Sequence, residues 1–181
     1  QAGRADAGYK LLKSSVLDGM YLGDSPGNFG QISFYDAARG ECYRDFGDPI
    51  GVASRVLIQG LFGILPDALN KQIILRPGFP ADWDKASVST PDISYRFTRK
   101  EDTDTYHITQ RFQTPLHPVL QINARKEKIR SVKVNGVPAT WQSIESAHGY
   151  PLLSIQAEGT SSTTITIEWE GAPLHTLAAQ E

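Results

Sequence analysis

The chain has 181 residues, a formal net charge of −2 and 40% hydrophobic residues, enough for one large or two small domains with a buried core. The near-neutral balance argues against nucleic acid as the main partner, because phosphate neutralisation needs a clustered positive surface. No apolar run approaches the roughly 20 residues that span a bilayer, so no membrane partner is expected, and the single cysteine, Cys42, permits no intramolecular disulfide.

Residues 4–21 read as a helix: Tyr9, Leu12, Val16 and Met20 fall at i, i+3, i+7 and i+11, with Leu11 and Leu17 beside that stripe. The chain begins abruptly at this helix and no secretory leader is visible, which suggests a piece of a longer protein. Gly23 to Gly30 is a loop by every local rule, but no Gly-Lys-Ser/Thr follows, so it is not a phosphate-binding loop. Residues 31–47 are ambiguous. Asp48 is a good N-cap and Pro49 fits the first helical position. Val52, Ala53, Val56, Leu57, Leu61 and Ile64 then form one stripe, and Ile58 and Phe62 add a second apolar side. Gly63 and Pro66 end this helix. A helix apolar on two sides packs between neighbours, so residues 1–70 are expected to belong to a larger helical assembly or to self-associate.

From residue 72 the period is that of strands. Ile73-Ile74-Leu75 is a short buried run. Ile93, Tyr95 and Phe97 alternate with polar residues, and a turn at Glu101 to Thr105 leads to Tyr106, Ile108 and Phe112. Val119 to Ile122 follows. Ile129, Val132 and Val134 run into Asn135-Gly136, a strong two-residue hairpin signal, with Val137 to Trp141 returning. Leu152 to Ile155 and Ile165 to Trp169 complete about eight strands. The fold class is therefore α+β: N-terminal helices (1–70), an antiparallel β-sandwich (71–171) and a flexible tail (172–181).

The densest chemistry is an acidic loop. Asp36, Glu41, Asp45 and Asp48 lie close together with Arg39 and Arg44 between them. Carboxylates near arginines can act as general acid or base, or can hydrogen-bond sugar hydroxyls. The plainer reading is that Asp48 caps the helix while Arg44 and Asp45 brace the loop. Trp83, Trp141 and Trp169 could stack on sugar rings, but Trp83 suits a linker packed on the sheet, and the other two sit in strands where core or rim packing is expected. His107, His117, His148 and His175 are not paired at metal-ligand spacing, so no metal and no cofactor are expected. Glu101 to Asp104 is too poor in ligands for a calcium loop and reads as a solvated hairpin tip. The basic stretch Arg125 to Arg130 reads as a solvated turn.

The run Gly40-Glu41-Cys42-Tyr43-Arg44-Asp45-Phe46-Gly47-Asp48-Pro49, then Arg55, Gln59-Gly60-Leu61-Phe62-Gly63-Ile64 and Pro77-Gly78-Phe79-Pro80-Ala81-Asp82-Trp83, resembles the C-terminal portion of bacterial, largely Bacteroidetes, glycoside hydrolases. These look related to the six-hairpin glycosidases, which include α-L-rhamnosidases and other (α/α)6-barrel enzymes. The resemblance implies that the N-terminal helices are the end of such a barrel, followed by a supporting β-sandwich. It implies a carbohydrate partner, a periplasmic or extracellular location, and a first catalytic carboxylate outside this chain. By location in the late loop, Glu41 is the expected second carboxylate and Asp45 the runner-up. Arg39, Tyr43 and Arg44 are the expected substrate-binding residues. The competing class is a non-catalytic carbohydrate-binding module, which exposed coplanar aromatics would favour; buried tryptophans would favour a structural role.

Overall fold

The structure is a computed structural model that describes residues 4–17, 47–144 and 152–174. Two units are distinguished. One holds the helices together with residues 78–81, and the other holds residues 64–77 and the described chain from 82 onward.

In the helical unit, α1 spans Ala5–Val16. Tyr9, Leu12 and Val16 are its half-buried stripe, as the spacing predicts, and Leu11 is exposed. Helix α2 spans Gly47–Arg55, starting one residue before the expected cap, so Asp48 lies within its first turn rather than ahead of it. Pro49 lies in its first turn, where the missing N–H breaks no bond. The helix then widens into a π-helical stretch, Val56–Leu61. There the Phe62 N–H donates to the Leu57 carbonyl, five residues back, at 3.1 Å. Arg55 Nε donates to Gln59 Oε1 one turn on, at 2.7 Å. Gly63, at φ 67°, ends the helix in the left-handed region open to glycine.

The second unit is two sheets in a sandwich-like arrangement. One contains β1 (Ile64–Asp67), β2 (Gln72–Leu75), β6 (His117–Asn123), β10 (Leu152–Gln156) and β9 (Gln142–Ile144), in the order β1-β2-β6-β10-β9. The other contains β3 (Lys85–Ser89), β4 (Ile93–Lys100), β5 (Thr103–Gln110), β11 (Ser162–Pro173), β7 (Lys126–Val134) and β8 (Val137–Pro138), in the order β3-β4-β5-β11-β7-β8. Strand alternation fills the core. Ile73, Leu75, Leu120, Leu153 and Ile155 come from the first sheet, and Tyr95, Phe97, Ile108, Ile165, Ile167 and Trp169 from the second.

Three features depart from the sequence reading. The sheet begins at Ile64 rather than near residue 72, because Ile64 to Asp67 is too short to display a period. It pairs with β2 as an edge strand, a position that tolerates Pro66. The sandwich is not wholly antiparallel: β2 and β6 pair in parallel. The chain leaves the first sheet after Leu75, builds β3 to β5 in the second, and re-enters in the same direction, which is the crossover a parallel pair requires. The return strand after Asn135-Gly136 is only Val137–Pro138, since the next pairing segment, β9, lies in the other sheet.

The hairpin signal itself holds. Asn135 and Gly136 take φ of 51° and 81°, the two positive angles of a primed turn. The tip is pinned to β11, because Asn135 Oδ1 accepts from the Thr164 N–H at 2.8 Å. Gly136→Ala should therefore cost about 1 kcal/mol from the left-handed conformation alone, read as a shift of the urea midpoint at unchanged slope. A wild-type midpoint would show that the turn does not hold the β7–β8 register.

Candidate functional site

The five sequence candidates, Glu41, Asp45, Arg39, Tyr43 and Arg44, lie outside the described residues. The later parts of the same motif are described, and they pack on one another within the helical unit. The Gly78 N–H donates to the Leu61 carbonyl at 2.9 Å. A methyl group on Gly78 would stand 2.8 Å from the Gly60 carbonyl oxygen, so close backbone approach requires glycine there. Phe62 and Phe79 meet edge to face at 5.6 Å, and the Ala81 N–H donates to Asp6 Oδ1 on α1 at 3.1 Å. The Gly-Leu-Phe-Gly and Pro-Gly-Phe-Pro runs are thus two halves of one contact, and their special residues serve packing.

The strongest electrostatic feature lies within the sheets. Asp104 is 1% exposed. Arg99 meets it as a fork, Nε to Oδ1 at 2.8 Å and Nη2 to Oδ2 at 3.3 Å. Trp169 Nε1 donates to Oδ2 at 3.1 Å, and Arg125 Nε stands 3.6 Å from the same oxygen. Arg125 also donates through Nη2 to the Glu101 carbonyl at 3.1 Å. The guanidinium groups lie over aromatic rings, Arg99 over Phe97 at 5.2 Å and Arg125 over Trp169 at 6.0 Å. Beside this cluster Lys126 pairs with Asp102 at 2.6 Å, which lowers the Asp102 carboxyl below its ordinary 3.8, the Lys126 hydrogen bond being the main cause.

Two sequence expectations are corrected by this cluster. Asp102 is a solvated tip residue, but Asp104 is interior, and Arg125 to Arg130 is no turn: β7 begins at Lys126, with Arg125 and Lys126 fastened to the β4–β5 hairpin. Chemically the cluster is closed. Both Asp104 oxygens are buried and engaged by neighbouring side chains, and the arrangement serves to fix β5, β7 and β11 together.

Burial also acts on Tyr95 and Tyr106. Desolvation pushes both hydroxyls above their ordinary 10.0, reinforced for Tyr95 by Tyr106 and for Tyr106 by the Asp104 carboxylate. Unfolded tyrosines ionise near 10.0, so the stabilisation is complete below that pH and declines as pH rises past it, when only the unfolded chain sheds these protons. Melting temperature should fall steeply above about pH 10, and less steeply in Tyr106→Phe. Equal slopes in the two proteins would contradict the assignment.

A groove of about 310 Å³ opens between the sheet ends. Val119, Val134 and Ala157 give its lining an apolar part, and Gln72, His117 and Glu158 a polar one. His117 Nδ1 accepts from the Gly159 N–H at 3.1 Å and lies 3.8 Å from Glu158 Oε2. Glu158 is the only carboxylate among the lining residues, whereas glycoside hydrolysis ordinarily uses two. Among the described tryptophans, Trp169 is 1% exposed and Trp141 43%, and Trp83 is half-buried. Among the described residues no His, Cys, Asp and Glu cluster could hold a metal, and no helix is long and apolar enough to cross a membrane.

Comparison with known proteins gave similarity at the level of structure. No family model matches the chain, and no curated protein matches it. Among solved structures it is similar to the α-L-rhamnosidase from Dictyoglumus thermophilum, with 16% identity and a TM-score of 0.46, over 67% of this chain and 14% of that one. It is also similar to the Streptomyces avermitilis α-L-rhamnosidase complexed with L-rhamnose, with 15% identity and a TM-score of 0.45, over 88% of this chain and 14% of that one. The chain therefore spans about one seventh of the length of each.

The Asp104 cluster was missed by sequence reasoning, although one signal was present. Asp104 shares parity with Tyr106 and Ile108, so a strand through them turns its carboxylate inward. A charge on the buried face requires a partner. Arg99 could have been found as its cross-strand register mate, whereas Arg125 and Trp169 could not, because their proximity depends on sheet order.

Proposed function

We propose that this chain is the C-terminal accessory region of a bacterial glycoside hydrolase acting on oligo- or polysaccharides, a scaffold that lacks a complete catalytic site of its own. The sequence motifs at 40–49, 59–64 and 77–83 carry the glycosidase reading. The observation that favours scaffold over catalytic body is Trp169: it is buried, and its indole N–H is spent on the equally buried Asp104. The most elaborate polar assembly of the sandwich is thereby committed to holding strands. In this reading the helices are the end of an (α/α)6 barrel. The exposed Val52, Val56 and Leu57 support that placement, since an apolar face of this kind is normally covered by a partner. Glu41, with Asp45 as the second choice, then faces the sugar cleft, and the enzyme works outside the cytoplasm. The test is hydrolysis by the 181 residues alone, using an aryl α-L-rhamnoside and a panel of plant polysaccharides. No product above buffer is expected; sustained turnover by the isolated chain would overturn the proposal.

A further inference from the structure

The outer face of the six-stranded sheet is rich in hydroxyls and cations. Its cross-strand rows are hydroxyls and cations: Ser87, Arg96, His107 and Thr164 stand in register, as do Lys85, Thr98, Thr105, Thr166 and Lys133. Lys100 continues the β4 series two residues beyond Thr98. The carboxylates on this side of β11 are already paired, Glu168 with Lys133 at 3.5 Å and Glu170 with Arg130 at 3.9 Å. Ser131 and Lys133 accordingly hold the Glu168 carboxyl below its ordinary range. Lys85, Arg96 and Lys100 have no ion pair among the described residues. A chain with net charge −2 thus presents, among the described residues, at least three cations without an ion pair on one hydroxyl-rich face.

We infer that this face binds acidic polysaccharide, with Lys85, Arg96 and Lys100 pairing to carboxylates of a uronate-containing glycan and the flanking serine and threonine hydroxyls bonding to its ring hydroxyls. Six strands span about 24 Å, and same-face residues along a strand repeat every ~7 Å, so Arg96 and Lys100 stand about 14 Å apart. An extended chain of several sugar rings fits such a plane. Neutral glycans are held chiefly by aromatic platforms, and the register rows of this face contain no aromatic other than the His107 ring. Single-stranded nucleic acid needs stacking surfaces that are equally missing, and a membrane-surface site needs apolar side chains to insert. Charge and hydroxyl chemistry together favour the uronate polymer. The choice of a glycan as ligand rests on the carbohydrate reading above; the cationic face does not.

The test is electrophoresis of the chain through gels containing polygalacturonate, with dextran, single-stranded DNA and phosphatidylglycerol vesicles as parallel arms. Retardation by polygalacturonate alone is expected. The triple variant Lys85→Gln, Arg96→Gln, Lys100→Gln should bind at least tenfold more weakly with an unchanged melting temperature. Glu158→Gln, in the groove, should bind as wild type. Ionic strength near 1 M, where charges are screened within about 3 Å, should abolish retardation. Absence of wild-type retardation, equal binding by the triple variant, or tighter binding to dextran, DNA or vesicles would each overturn the inference. Hydrolysis of the polymer by the chain would instead count against the accessory reading, so the two failures are distinguishable.

Discussion

Glu41→Gln in the proposed parent glycosidase should lower turnover by about 10²–10⁴-fold, the usual loss when a general base is removed, and leave the melting temperature nearly unchanged. Under the proposed reading a carboxyl group from outside this chain protonates the leaving glycosidic oxygen. The Glu41 carboxylate serves the opposite side of the ring, taking a proton from the water that attacks the anomeric carbon or attacking that carbon itself. Glutamine keeps the size and hydrogen-bonding reach but removes both the basicity and the charge. Asp45→Asn is the companion variant, because the same loop offers both carboxylates. Asp48→Ala is the contrast: it removes an acidic residue from the first turn of α2, where a negative charge favours the helix N-terminus, so it should cost about 0.3–1 kcal/mol of stability, with little direct effect on chemistry. Full turnover in both Glu41→Gln and Asp45→Asn would make the loop structural and remove the site assignment.

Asp104→Ala should lower the unfolding free energy of the sandwich by about 3 kcal/mol, at the lower end of the range for removing one partner of a buried ion pair. The lower end applies because Arg99 and Arg125 are each 23% exposed and recover some hydration when the carboxylate is gone. Trp169 Nε1 has no such recourse, being enclosed by the core, and an unsatisfied buried donor carries its own cost. For a sandwich of roughly 100 residues this corresponds to a melting point lower by more than about 10 °C. Denaturant titration of Asp104→Ala, Trp169→Phe and the double variant separates the contributions. The two losses should be less than additive, because both variants break the same Trp169–Asp104 bond. Strict additivity would show that the bond contributes nothing to stability.

The parts of the fold legible in the sequence were those set by local periodicity. The stripe at Tyr9, Leu12 and Val16, the alternation through Ile93, Tyr95 and Phe97, and the Asn135-Gly136 turn each follow from side-chain direction over a few residues. What was not legible depends on long-range order. The parallel β2–β6 pair arises only because β3 to β5 are built in the other sheet before the chain returns. The inward turn of Asp104 was hidden by its neighbours Glu101 and Asp102, which are genuinely exposed and made the whole tip look solvated. Arg125 looked like part of a charge run because its partners are distant in sequence, Trp169 lying 44 residues on. The linker motif was legible as special but not as to purpose: the pairing of Gly60 with Gly78 becomes meaningful once the backbone contact between them is seen.

The claim most exposed to contradiction is that the charged centre of the sandwich is scaffold rather than machinery. It is tested by steady-state kinetics of the proposed parent glycosidase carrying Asp104→Asn, at a temperature well below the melting point of the variant. The account predicts a lower melting temperature with kcat and KM per folded molecule equal to wild type. A fall in kcat of tenfold or more in a fully folded variant would contradict it and place Asp104 in the chemistry.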